Sequence, residues 1–275
     1  STLTKIRHVE VVGVVTKKKS PINSDFFSLD DICKKNMIGT FYFDPKMSKP
    51  LFNWIREKKP EVILCIGWSH KIDSNILSLS TFISIGYHPS DLPKNRGRHP
   101  LIWSLVLGQD KTASTFFELK DKMDSGDIIN KVHFKITKKD DIISLKKKLE
   151  KKIINQLKEI FKDIKDGKLK KRPQNHSLAN VLRKRNFADG VIDWRMNAEA
   201  IFNLVRALVK PFPGASSYYK GREFKVWVVK VSNFSPKNTE PGKVLTVINK
   251  NIHVKCYDKS IIITKHNLRK IPKKF

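Results

Sequence analysis

Three short runs dominated by β-branched and aliphatic residues limit what this chain can fold into. They are Val9 to Val15, Val62 to Ile66 and Phe82 to Ile85, with helix-forming sequence between them. Their apolar side chains fall at consecutive positions, so both faces of each strand must be buried. That is the condition of a strand in a parallel sheet covered by helices. Between the first two runs, Ser28 is placed to N-cap a short helix, with Asp31 at the capping-box position. Thr40 to Phe43 reads as a further strand and Lys49 to Lys58 as a helix. The alternation predicts an α/β fold with a doubly wound, mostly parallel, Rossmann-like sheet. Ligands bind such sheets beyond the carboxyl ends of the strands. Here that means Gly67-Trp68-Ser69-His70 and the residues after Ile85.

Pro100 to Leu107 predicts a helix opening at its proline. Ala113 to Leu119 is β-rich, and Ile128 to Ile136 alternates as an exposed strand does. Ser144 to Lys165 is a long amphipathic helix, with Leu145, Leu149, Ile153, Leu157, Ile160, Phe161 and Ile164 at helical spacing. Lys168 to His176 is basic and polar and reads as a linker. Ala198 to Leu208 is a helix ended by Lys210-Pro211-Phe212-Pro213-Gly214. Short strands then follow at Phe224 to Val231, Gly242 to Ile248, Ile252 to Tyr257 and Ile261 to Thr264. They predict a small, partly open, OB-like β domain. The expected organisation is residues 1–167 as a catalytic domain, 168–215 as a linker and helical connection, and 216–275 as the β domain. Ser1 to Ile6 looks like the end of a helix with no strand before it, and Ser1 is not Met, so further residues are expected upstream.

The 275 residues carry Lys+Arg 55 against Asp+Glu 26, a net charge of +29. The lysines are spread along the chain and are not interleaved with aromatics as a stacking platform for bases would be. They read mainly as a solvated surface, while an anionic substrate suits the charge. Cys33, Cys65 and Cys256 are well separated and fit neither a disulfide framework nor a metal site, which predicts a reducing, cytoplasmic compartment. No apolar run approaches the roughly 18 residues that span a bilayer.

The residues able to do chemistry gather between Gly86 and Ile129. His88 follows an apolar strand and precedes Pro89, and an imidazole exchanges protons near neutral pH. Asp124 stands in the turn Met123-Asp124-Ser125-Gly126-Asp127, and a carboxylate near a histidine can hold its tautomer. Arg96-Gly97-Arg98 is a cationic loop whose glycine permits close backbone approach. No Gly-rich phosphate fingerprint, Walker motif or G-x-S-x-G motif is present, so dinucleotide oxidoreductase, nucleoside-triphosphatase and serine-hydrolase readings have little support.

The order His88-Pro89-Ser90-x-Leu92-Pro93-x-x-Arg96-Gly97, followed by Pro100, Trp103, Gly108 and Asp124-Ser125-Gly126-Asp127-Ile128, resembles the folate-dependent formyltransferase family. Asp189-Gly190-x-Ile192-Asp193-Trp194, Val205-Arg206-Ala207, Pro211-x-Pro213-Gly214-Ala215 and Pro241-Gly242-Lys243-Val244-Leu245 extend the resemblance over nearly the whole chain. The resemblance implies formyl transfer from N10-formyltetrahydrofolate to a primary amine through a tetrahedral oxyanion, without a metal. On this chain it implies His88 and Asp124 as catalytic groups. It places the pterin between Ser69, His70, Lys71 and Ile72 on one side and a loop including Leu119, Asp121, Met123 and Asp124 on the other. Tyr87, Pro89, Ser90, Lys94, Arg96 and Arg98 fall on the substrate side. One position departs from the family: where its Asn-x-His pair has asparagine, this chain has Gly86. Losing one oxyanion donor costs about 10²–10³ in rate, so the role must pass to His88, a backbone N–H, a water or a side chain such as Asn95.

The variant GYHPSDLPKNRGRHPLIW and the short region after Val15 are more similar to the nucleotide-sugar enzymes than to the tRNA enzyme. A nucleotide-linked amino sugar destined for surface polysaccharide, such as lipopolysaccharide, is therefore the expected amine. Initiator methionyl-tRNA is the alternative, favoured by the +29 charge and the β domain. A non-catalytic folate or sugar binder is favoured by Gly86 alone. A homodimer is implied by the same resemblance, and no membrane association is expected from the lack of a long apolar run.

Overall fold

The computed structural model describes residues 2–19, 26–68 and 70–270. They form two compact units that interleave along the chain. The first comprises residues 1–97, 113–134 and 148–182, and the second residues 98–112, 135–147 and 183–275.

The first unit is built on strands β1 (Val14–Thr16), β2 (Thr40–Tyr42), β3 (Val62–Cys65) and β4 (Ile83–His88). Strand β5 (Arg96–Gly97) has two residues, and β6 (Lys111–Glu118) and β7 (Ile128–Lys135) complete the sheet. β1 pairs with β2 in parallel. The larger sheet has the order β3-β4-β6-β7, with β3–β4 parallel and β4–β6 antiparallel. The doubly wound α/β expectation is met, with an antiparallel strand beside the parallel pair. Helices α1 (Asp30–Lys35), α2 (Ser48–Lys58) and α3 (Ser74–Leu77) connect the early strands. The Val9 to Val15 run yields a strand only from Val14. At Gly13 a Cβ would stand 2.4 Å from the Trp54 ring, so the α2 indole lies directly on that backbone. Ser28 Oγ accepts from Asp30 N at 3.2 Å, although the helix itself begins at Asp30.

Ile83 and Ile85 of β4 pack with Phe116, Leu157, Ile160 and Phe161 in one buried cluster. Each such side chain contributes about 1.5–3 kcal/mol by leaving water. The last three belong to α5 (Ile142–Lys165), whose apolar stripe has the expected spacing. The cluster fixes β4, and β4 carries His88 at its carboxyl end. The chain after α5, expected to be a linker, belongs to the first unit through Leu182. It bridges to Ile128 at Arg172 and supplies β8 (Val181–Leu182), which pairs in parallel with β5.

The second unit contains α4 (Pro100–Val106) and α6 (Ala198–Arg206). Its five-stranded sheet comprises β9 (Ala215–Tyr219), β10 (Arg222–Ser232), β11 (Val244–Ile248), β12 (Asn251–Lys255) and β13 (Ser260–His266). The strand order is β11-β12-β13-β10-β9, and every pairing described is antiparallel. This is the C-terminal β domain expected, with β9 as an edge strand the sequence did not announce. Among the described residues no helix is long and apolar enough to cross a membrane, and no group of three or more His, Cys, Asp or Glu could hold a metal ion.

Candidate active site

His88 closes β4 and is 6% exposed. Its Nε2 lies 2.8 Å from the carbonyl oxygen of Asn95. A carbonyl only accepts, so Nε2 carries the hydrogen, and Nδ1 keeps its lone pair in the neutral ring. Nδ1 faces Asp124 Oδ2 across 3.7 Å. That separation is too long for a hydrogen bond, and it is an ion pair only when the imidazole is protonated. The histidine is thus anchored through one nitrogen and offers the other.

Asp124 is fixed from two directions. Its Oδ2 accepts from the Gly97 amide at 2.8 Å, and its own carbonyl accepts from Gln174 Nε2 at 2.9 Å. Its backbone is left-handed, with φ 52°, as is that of Asn95 with φ 59°. After glycine, asparagine and aspartate are among the residues that enter this region most readily, so both residue types suit these turns. Gly126, two residues on, has no room for a side chain, because a Cβ there would stand 1.8 Å from the Glu118 carbonyl oxygen. The turn is packed flat against β6, and this holds Asp124 at its tip.

Gly86 shares its face of β4 with His88. A Cβ at Gly86 would lie 2.7 Å from Leu119 Cδ2 and 2.8 Å from Phe117 Cζ. Two apolar side chains therefore fill the space a residue larger than glycine would need. Cys65 is opposite Gly86 in register. Burial pushes its thiol up to about 12, the Trp68 amide pulls it back, and the charge of Asp124 adds to the rise. It stays a protonated thiol near the site and is no nucleophile.

The residues expected around a pterin fall after the carboxyl end of β3 and in the loop after β6, and Phe43, just past β2, is not among them. Phe43, Trp68 and His70 form a group of rings with centroid separations of 4.9, 5.1 and 5.8 Å. Lys17 Nζ lies 2.8 Å from His70 Nε2, which makes that nitrogen the acceptor. Ile72 is half-buried, Asp121 exposed and Met123 61% exposed. Leu119 packs against Leu92, Phe117 and Ile128. Ser69 lies outside the described residues.

The residues expected on the substrate side are not all brought together. Tyr87 points to the opposite face of β4, with its ring 4.9 Å from that of Phe116 and its hydroxyl 3.3 Å from Ser114 Oγ. Burial pushes its phenol well above the usual range. Ser90 is fully buried and donates to the Lys94 carbonyl at 2.9 Å. Arg96 is 4% exposed, with its guanidinium 2.6 Å from Gln174 Oε1 and 2.9 Å from His176 Nδ1. Lys94 is exposed and Pro89 half-buried. Arg98 is half-buried and belongs to the second unit. The sequence reading missed Gln174, Asn180 and the Gly97 amide. Gln174 and Asn180 lie in a polar stretch without periodicity, and no local signal marks them.

The geometry leaves the class open, and sequence comparison identifies the family. The family description "Formyl transferase" matches residues 2–160, and "Formyl transferase, C-terminal domain" matches residues 186–273. The chain belongs to the formyltransferase family. The bifunctional polymyxin resistance protein ArnA of Wigglesworthia glossinidia brevipalpis is 32% identical over 259 residues, which are 92% of this chain and 38% of that relative. This chain thus spans well under half the length of that relative. Among solved structures, the sugar 3N-formyl transferase WlaRD, in the presence of dTDP and 5-N-formyl-THF, superposes with a TM-score of 0.72 at 19% identity, covering 98% of this chain and 93% of that one. The N-formyltransferase of Helicobacter canadensis, in complex with folinic acid and dTDP-3-aminofucose, superposes at 0.70 and 17% identity, covering 96% and 94%. At these identities the likeness speaks for the fold.

Proposed function

We propose that this chain transfers the formyl group of N10-formyltetrahydrofolate to the amine of a nucleotide-linked amino sugar used in surface polysaccharide. One observation carries the chemistry: a histidine anchored through Nε2 and offering Nδ1 beside an aspartate whose position is fixed through backbone groups. The described residues also fit a flat heteroaromatic donor. Phe43, Trp68 and His70 offer ring faces at strand ends, and Met123 offers exposed apolar surface. When bound, N10-formyltetrahydrofolate supplies a formyl carbon open to attack by an amine.

The chain's own residues then manage protons and charge. The attacking nitrogen must lose a proton as its bond to carbon forms, and Asp124 accepts it. His88 Nδ1, 3.7 Å away in the free protein, takes that proton on once substrate draws the pair to hydrogen-bond distance or a water bridges them, and presents it where negative charge gathers. Gly86 offers no side chain for that charge, and Phe117 and Leu119 occupy the adjoining space. Protonated His88 is therefore the donor assigned to the developing oxyanion, and as that intermediate collapses the bond from the formyl carbon to N10 breaks and the departing tetrahydrofolate nitrogen takes the same proton. The sugar reading is supported by the motif around His88 and by the nucleotide ligands of the two structural neighbours.

The test is formyl transfer by the purified protein from N10-formyltetrahydrofolate to dTDP- and UDP-linked amino sugars and to charged initiator tRNA. A formylated nucleotide sugar with unmodified tRNA is the expected result. Formylated tRNA with unmodified sugars would replace the substrate assigned here. Saturable folate binding with neither product would leave a binding protein in place of an enzyme.

A further inference from the structure

The chain from Arg172 to Leu182 reaches both working groups at one remove. Gln174 is 5% exposed, and its amide nitrogen donates to two carbonyls, Asp124 at 2.9 Å and Gly126 at 2.6 Å. Its oxygen accepts from Arg96 at 2.6 Å. Arg96 is covalently joined to Gly97, whose amide holds the Asp124 carboxylate at 2.8 Å. The bonds close a ring: Gln174 to the Asp124 backbone, Asp124 side chain to Gly97, and Arg96 back to Gln174. Six residues on, Asn180 Oδ1 accepts from the Asn95 amide at 2.8 Å, and the Asn180 carbonyl accepts from the Arg96 amide at 3.0 Å. Asn95 is the residue whose carbonyl anchors His88 Nε2.

Electrostatics agree with that ring. Burial pulls the Arg96 guanidinium below its ordinary value, and the charge of Asp124 pushes it back up. The charge of Asp124 is thus felt at the arginine that Gln174 holds. Gln174 reaches Asp124 through the backbone carbonyl, and Arg96 reaches it through Gln174. Buried amides bonded on both ends are rigid, and removing one leaves its partners unpaired.

We propose that Gln174 is a positioning residue for Asp124, and that the segment from Arg172 to Leu182 is a strap that sets turnover by holding Asp124 and His88 in register. The inference rests on Asp124 and His88 being the working pair. Supporting groups of this kind change activity by about 10–100-fold when removed, because small displacements of a reacting group are costly.

Gln174→Glu separates positioning from folding. It keeps an oxygen for Arg96, and with it the buried contact, but loses the nitrogen that holds the carbonyls of Asp124 and Gly126. Two readouts are needed. The first is the amide proton resonance of Gly97, which reports its bond to the Asp124 carboxylate without any turnover. In Gln174→Glu it should move in the direction seen in Asp124→Asn. The second is steady-state formyl transfer, where kcat should fall about 10–100-fold with KM for both substrates unchanged within about twofold. Gln174→Met, which lacks all three bonds, should show the larger displacement. A Gly97 resonance unmoved in both variants would overturn the proposal, as would an unchanged kcat or a rise confined to KM. Loss of folding in both variants would make Gln174 a purely structural residue and also overturn it. If the wild-type protein formylates no amine, the catalytic reading fails while the Gly97 resonance still decides whether Gln174 positions Asp124.

Discussion

Asp124 and Asp189 look alike in sequence: each is an acidic residue in a short turn with a glycine close behind. Their surroundings use them in opposite ways. Asp189 receives both arms of Arg183, at 2.7 and 2.5 Å, and the Asn186 amide at 2.7 Å. The bonded Arg183 holds its carboxyl down to about 2, so it remains a fixed anion. Asp124 receives one backbone N–H, and among the described residues no lysine or arginine forms an ion pair with it. Its position is secured through its own carbonyl and through Gly97, which leaves acceptor capacity at the carboxylate. A carboxylate held by both arms of an arginine and a backbone amide is structural, and one held in place by other means keeps acceptor sites open. Spacing in the sequence does not distinguish the two; the partners do.

The comparison breaks first at His88. Replacing it with Gln should lower kcat for formyl transfer by about 10²–10⁴, with the melting temperature nearly unchanged, as steady-state kinetics and calorimetry would report. Equal turnover would place the working groups elsewhere. A second, smaller effect concerns the floor of the site. Gly86→Asn drives a side chain into Phe117 and Leu119, and overpacking of this kind costs about 1–3 kcal/mol in denaturant unfolding. Unchanged stability would mean that the space is not filled as described. The smallest effect belongs to the structural carboxylate. Asp189→Asn should lower the melting temperature at pH 7 by about 2–4 °C, with kcat unchanged. The folded-state value lies below the ordinary 3.8, so the stabilisation is fully present above that value and is lost as pH falls through about 2. The difference between wild type and variant should therefore shrink between pH 4 and pH 2, and a deficit independent of pH would remove the ion pair as its cause.

The scaffold of the first unit was legible because its residues are repetitive. The apolar run Val62 to Ile66 became β3, and the stripe of α5 met the face it was spaced for. The apolar pattern of Phe82 to Ile85 stops at Ile85, but β4 runs on to His88, because β6 pairs with it as far as Thr115. Pairing partners remote in sequence extended the strand, and local pattern does not contain them. For the same reason β5, β8 and the strap were not foreseen: two-residue strands have no period, and Gln174 resembles any polar residue of a loop. His88 and Asp124 could be singled out as residue types at informative places. Their approach to 3.7 Å depends on the left-handed turn and on Gln174, which the sequence does not display. The departure at Gly86 was visible, whereas Phe117 and Leu119 filling the space beside it were not.

The most direct measurement is a single-turnover reaction with a ¹³C-formyl donor and a nucleotide-linked amino sugar, run side by side on wild type, Asp124→Asn and Asp189→Asn. Rapid ¹³C transfer to the sugar amine by wild type and Asp189→Asn, with transfer by Asp124→Asn slowed by about 10² or more, is the predicted result. Equal transfer by all three proteins would contradict the assignment of Asp124 as the working carboxylate.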